Sequence, residues 1–267
     1  MEANRNDCKL RMLQLVNMNS KRWLVIGVIL LLAIITEACS KENTYALQSP
    51  DQSIELTFET TNGSLNYQIS WNGHQAVKNS ELSIFPNTKV KITDTKVSSA
   101  DTTWNPVWGQ FSEIQDAYNE LEISLDYEGI PATLYVRAYD GGSAFRFVIN
   151  SLPEAAEPSF YIEYGLSATD EIYMPAGEGM PKGPIVLSDL AQMDSIPYRW
   201  HVPLVIETGQ NDYISLLESD LVSAPGFSII DFEYDKKRKN SFRKINLLPK
   251  KKTDYTLALI AFGRKYR

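Results

Sequence analysis

The sequence predicts an all-β fold of antiparallel sheets packed as a sandwich, on three observations. Short runs alternate apolar and polar residues with period 2, as in Ile54-Glu-Leu-Thr-Phe58, which is the signature of a strand with one buried face. Turn residues punctuate these runs: Asn62-Gly63, Asn72-Gly73 and Asp140-Gly141-Gly142 stand where a tight hairpin needs residues that accept φ > 0. No segment before residue 150 carries a 3.6-residue apolar period of helical length, so sheets must supply the layers.

In chain order, residues 1–38 are set apart from the fold. Trp23 to Ile35 is an apolar run of 13 residues behind Lys21 and Arg22. A membrane span needs about 20, and the run has the length of a signal-peptide core. Met18-Asn-Ser-Lys-Arg22 would make a normal start for such a signal. The run ends in Thr36-Glu-Ala-Cys39, which resembles a bacterial lipobox and implies cleavage before Cys39, lipid attachment to it and export to the periplasm or outer membrane. Thr36 and Glu37 depart from that pattern, and the alternative is an ordinary cleaved signal with an incidental cysteine. Cys8 would leave with the signal, so the mature chain has no internal disulfide.

Residues 39–50 read as a polar tether, and 51–230 as the sandwich. Ile54, Leu56 and Phe58 share a face, Leu65, Tyr67, Ile69 and Trp71 alternate on the return strand, and Leu82–Phe85 and Val90–Ile92 are short strands. Trp104, Pro106, Trp108 and Gly109 form an aromatic loop leading into the strand Leu121, Ile123, Leu125. Each tryptophan buries roughly 150–250 Å² when covered, which predicts a plug of core aromatics. Leu134, Val136 and Ala138, then Phe145, Phe147 and Ile149, form the next buried faces. From Pro153 the pattern weakens. Gly177 to Gly183 reads as a long loop, and Val202–Ile206 and Tyr213–Glu218 as two strands. Residues 231–267 form a basic, atypical tail, either a solvated arm or an altered end of the reading frame.

Charge separates these regions. Residues 39–235 carry 9 Lys/Arg against 29 Asp/Glu, whereas 236–267 carry 12 against 1. So acidic a body excludes nucleic acid as a partner and suits a solvent-exposed protein outside the cytoplasm. His74 and His201 are the only histidines, which argues against a zinc site of usual composition. No Gly-x-Ser-x-Gly elbow occurs. Glycoside hydrolysis needs two carboxylates flanking a sugar; Glu113, Asp116, Glu178 and Asp212 are candidates that spacing does not rank. Trp71, Tyr173, Tyr198 and Trp200 could stack on a sugar ring, although core packing accounts for each.

Four blocks, in order, carry a resemblance. Leu47-Gln-Ser-Pro-Asp51 with Ile54–Phe58, Trp104-Asn-Pro-Val-Trp-Gly109, Tyr118-Asn-Glu-Leu121 and Arg137-Ala-Tyr-Asp-Gly-Gly-Ser-Ala-Phe-Arg146 are similar to the N-terminal domain of glycoside hydrolase family 97. The likeness runs from about Leu47 to Leu221. It implies a large β-supersandwich of the galactose-mutarotase-like kind, in bacterial α-glucosidases or α-galactosidases. It also implies a separate (β/α)₈ barrel holding the catalytic carboxylates. No position of this chain corresponds to those carboxylates, so an inactive fragment that ends before the barrel is expected. Tyr213-Ile-Ser-Leu-Leu-Glu218-Ser-Asp-Leu221 resembles the segment through which the family's N-terminal domain lends a glutamate to a calcium ion. Glu218 is the ligand this implies; Leu217 stands where the family often has histidine. The alternative for Glu218 is a surface strand residue. A non-catalytic carbohydrate- or partner-binding lipoprotein is the alternative for the whole chain.

Overall fold

The structure, a computed structural model, describes residues 44–149, 151–154, 156, 158–176, 179–190, 202–209, 212–218, 229–235, 240–246 and 254–264. The signal segment, Cys8 and Cys39 lie outside them. In chain order the strands are β1 (Tyr45–Gln48), β2 (Ile54–Thr61), β3 (Ser64–Trp71), β4 (His74–Ser83), β5 (Val90–Trp104), β6 (Ile114–Tyr127), β7 (Ile130–Tyr139), β8 (Gly142–Ile149) and β9 (Tyr161–Ile162). They continue with β10 (Leu166–Ser167), β11 (Glu171–Ala176), β12 (Gly179–Val186), β13 (Leu204–Glu207), β14 (Asp212–Glu218), β15 (Ile229–Asp235), β16 (Asn240–Asn246) and β17 (Asp254–Arg264). One helical turn, Leu187–Leu190, follows β12.

These strands make two antiparallel sheets. The first runs β1-β2-β3-β4-β9-β16-β10, with β15 paired to β16; the second runs β12-β11-β13-β14-β17-β8-β7-β6-β5. The predicted alternation fixes which faces meet. Ile54, Leu56 and Phe58 of β2 and Leu65, Tyr67 and Ile69 of β3 are buried, as are Leu134, Val136 and Ala138 of β7 and Phe145, Phe147 and Ile149 of β8. They form one core between the sheets, which is the sandwich the sequence predicts. At its centre Phe145 stands edge-on to Tyr67 at 5.2 Å and to Phe58 at 6.1 Å. At the first hairpin Asn62 and Gly63 take φ of 56° and 87°, the pair of positive values that a two-residue turn between twisted strands requires.

Three expectations are corrected. The Trp104–Phe111 segment is not a core plug: Trp104 is 50% exposed, Val107 100%, Trp108 87% and Phe111 64%. Instead β5 continues to Trp104, paired with β6 along its length, and the aromatic loop is the exposed tip of that hairpin. Gly179 to Val186 is an edge strand, not a loop. The residues expected as a tail contribute β16, most of β15, and β17, which lies between β14 and β8 inside the second sheet.

Burial sets an alkaline limit on stability. Tyr67 is enclosed, its hydroxyl donating to the Glu163 carbonyl at 2.6 Å; Tyr127 lies beside Ser83 and Ile84 without a well-formed hydrogen bond. Burial pushes both phenols up, Tyr67 well above its ordinary value and Tyr127 to about 12. An unfolded tyrosine ionises near pH 10, so between about pH 10 and 12 the unfolded chain sheds protons that the native chain keeps. Stability is full below that window and falls as pH rises through it, by about 3 kcal/mol from Tyr127 alone. Circular dichroism across pH 9–12.5 should lose the β-sheet signal together with the last part of the phenolate absorbance rise, the part that belongs to the buried tyrosines, and not after it.

Candidate functional site

Glu218 closes β14. Along that strand Ile214 and Leu216 are buried, and alternation places Glu218 next on the same, core-facing side. At the strand's end the core no longer covers it, and the residue is half-buried, opposite Ala258 of β17. It is therefore a carboxylate at the rim of the sandwich, not a residue of the outer face. Among the described residues no three His, Cys, Asp or Glu side chains come together as a cation site. Calcium takes 6–8 oxygens, and one carboxylate gives at most two. Glu218 fits at most one ligand of a site completed by other groups.

The remaining candidates are scattered. Glu113 is exposed near the tip of the β5–β6 hairpin and Asp116 is half-buried on β6; Glu178, Tyr198, Trp200 and His201 lie outside the described residues. Tyr173 is half-buried on β11 and donates its hydroxyl to Glu207 at 3.0 Å. Trp71 and Asp212 do come together. They line a cleft of about 340 Å³ between the β3–β4 turn and the β13–β14 turn, with His74, Lys78 and Asp170. Asp170 is buried there, and that burial pushes its carboxyl above the ordinary range against the hydrogen bonds from the backbone of Ser167 and Gly209.

One cluster was not singled out from the sequence. On the outer face of β6 and β7, Arg137 Nε donates to Glu120 Oε2 at 2.6 Å, and its guanidinium lies 4.0 Å from the Tyr118 ring centre. The Tyr139 ring lies tilted beside that of Tyr118, centroids 5.3 Å apart. Burial alone would lower the Arg137 pKa, but its hydrogen bonds to Glu120 and Tyr139 raise it. The cation thus lies over one aromatic ring and is ion-paired to Glu120. The signal was present in register: Glu120 and Arg137 are direct partners across β6 and β7, outward positions where opposite charges pair.

A family model described as the glycosyl-hydrolase 97 N-terminal domain matches residues 47–250. The chain belongs to glycoside hydrolase family 97. Its match reaches past β15 and β16, so both strands fall within the family's N-terminal domain. Within the family, a retaining α-galactosidase of Bacteroides thetaiotaomicron is 24% identical over 216 residues, covering 74% of this chain and 32% of that protein. A family 97 enzyme from Pseudoalteromonas sp. strain K8, solved with acarbose, superposes with a TM-score of 0.65 at 19% identity, covering 83% of this chain and 36% of that one. A variant of that enzyme solved with panose gives a TM-score of 0.67 at 20% identity, with the same coverage. These likenesses establish the sandwich fold. The chain spans about a third of the length of the family 97 relatives it matches.

Proposed function

We propose that this chain is the N-terminal, substrate-side accessory domain of a calcium-dependent glycoside hydrolase acting on α-glucosides or α-galactosides, and that it is inactive by itself. The observation that carries this reading is the match to an N-terminal family domain that accounts for about a third of each enzyme compared. The substrate class follows the relatives, one an α-galactosidase and one solved with acarbose and with panose. Export and a lipid anchor at Cys39 complete the proposal, placing the domain at the periplasmic or outer-membrane face. In this role Glu218, presented at the sandwich rim, supplies one carboxylate to a calcium ion whose other ligands come from the catalytic barrel. The domain itself excludes solvent from one side of the site and holds that carboxylate on a rigid strand.

Calorimetric titration tests the calcium part. The chain alone should show no calcium binding at micromolar concentration, and Glu218→Gln should change nothing. Micromolar binding that is lost in Glu218→Gln would contradict the proposal. The cleft around Trp71, His74, Asp170 and Asp212 favours a second reading, a carbohydrate-binding lipoprotein, because it pairs an aromatic ring with several hydrogen-bonding groups. Glycan-array binding abolished by Trp71→Ala is the result that would select it.

A further inference from the structure

We infer that the tip of the β5–β6 hairpin is the arm by which this domain docks on its catalytic partner, seating Trp104, Val107, Trp108 and Phe111 in an apolar groove rimmed by Lys and Arg. The inference rests on the accessory-domain reading above and adds the contact surface and its chemistry.

The first observation is an unsupported ribbon. Pairing between β6 and β7 stops at Asn119↔Ala138, whereas β5 and β6 go on pairing from Ala100↔Tyr118 to Trp104↔Ile114. At about 3.4 Å per residue this projects the tip roughly 17 Å beyond the last neighbour strand. A two-stranded ribbon alone is marginal in water.

The second observation is what the ribbon carries. Six large apolar side chains are exposed among the described residues, and four of them, Trp104, Val107, Trp108 and Phe111, sit on this one tip. Scattered exposed apolar residues mean little, but four gathered on one hairpin tip point to an interaction site. Covering these four would bury roughly 500–700 Å², most of the ~800 Å² that one side of an ordinary stable interface contributes. Two side-chain hydrogen bonds brace the arm, Asn105 Nδ2 donating to the Ser112 carbonyl at 2.8 Å and Gln115 Nε2 to Asp101 Oδ1 at 3.0 Å, which lowers the ordering cost of binding.

Charge selects the occupant. Residues 100–118 hold Asp101, Glu113 and Asp116 and no Lys or Arg. An anionic membrane surface would repel such a tip, and so would the same tip on a second copy. A groove with a basic rim complements it. The relatives show where such a surface can reside: about two thirds of the α-galactosidase lies outside its match to this chain. Register also separates the arm from Glu218. Glu218 shares a row with Ala258, Phe145, Val136, Leu121 and Val97. The tip lies five strands across and seven residues further along, roughly 30 Å away. A catalytic domain of ~250 residues is about 45 Å across, wide enough to meet both points.

The test measures, by titration, binding of the mature chain to the part of the Bacteroides thetaiotaomicron α-galactosidase outside the match, after circular dichroism and a cooperative melt have shown that part to be folded. It compares the native chain with Trp104→Ser/Trp108→Ser/Phe111→Ser and with Val97→Ser, an exposed apolar change away from the tip. Each form must melt within a few degrees of native. The native chain and Val97→Ser should bind alike, and the triple variant at least ~30-fold more weakly. Equal binding by the triple variant overturns the arm and leaves the accessory role standing; no binding by the native chain overturns both. Vesicle binding, or a native dimer that the triple variant abolishes, would also overturn the proposal and assign the tip to a membrane or to a second copy.

Discussion

Phe145→Ala should cost about 3–5 kcal/mol, the range for deleting a buried aromatic ring, and lower the melting temperature by about 10–15 °C. Phe145 is fully buried and holds both sheets at once, edge-on to Phe58 and Tyr67 of the first sheet from its place on β8 of the second. Its backbone is paired on both sides, to Val136 of β7 and to Ala258 of β17. Neither strand can move inward to fill the space, so the cavity persists and the full penalty is felt. Domains of this size are stable by about 5–15 kcal/mol, so the loss is roughly a fifth of the total or more. Urea unfolding measures it. Val97→Ala, exposed on the edge strand β5, should change stability by no more than about 0.5 kcal/mol.

Gly183→Ala should unpin the outer edge of the second sheet. Gly183 has φ +144°, and a Cβ there would stand 2.7 Å from the Ile172 carbonyl oxygen and 2.9 Å from Tyr173 Cα. Both obstacles are backbone of the neighbouring strand β11, which is itself paired to β13. They cannot rotate aside as a side chain could. The strained φ and the clash together should cost about 2–4 kcal/mol. The cost is local because β12 is the terminal strand of its sheet. Hydrogen exchange should show residues 171–186 losing protection while β6, β7 and β8 keep theirs. Uniform loss across the sandwich would mean that the edge and the core unfold as one unit.

What the sequence disclosed follows from how each strand is solvated. β2, β3, β7 and β8 each show one face to the core and one to water, and there the alternation of Ile54, Leu56 and Phe58, or of Phe145, Phe147 and Ile149, states the buried face outright. The polar outer half of β5 has no buried face beyond Val90. Residues such as Thr93, Thr95 and Thr102 reveal it only through β-branching, which is a weak signal. β12 carries Gly179, Pro181, Gly183 and Pro184, a loop-like composition tolerated because an edge strand needs only one set of ladder partners. In β17 the run Leu257-Ala-Leu-Ile-Ala-Phe262 is apolar without alternation, and the abrupt change of charge before it obscured a strand placed inside the sheet.

The tip of the β5–β6 hairpin departs from the expected core plug for a different reason. Hydrophobicity marks Trp104 and Trp108 as residues whose burial would be favourable, but does not say which surface buries them. Within this domain the structure leaves them exposed. Glu218 shows the complementary limit. No spacing rule distinguishes it from the other acidic residues, and it was singled out through the family resemblance around Tyr213–Leu221. The structure adds only its place at the end of β14, on the core-facing side and half-buried.

The accessory role proposed for this domain, assisting a hydrolase without being one, is tested by release of p-nitrophenol from p-nitrophenyl α-glucoside and p-nitrophenyl α-galactoside by the purified mature chain, with calcium present. No turnover above the uncatalysed rate is expected for either substrate. Turnover that rises in proportion to the chain and follows it through purification would contradict that role.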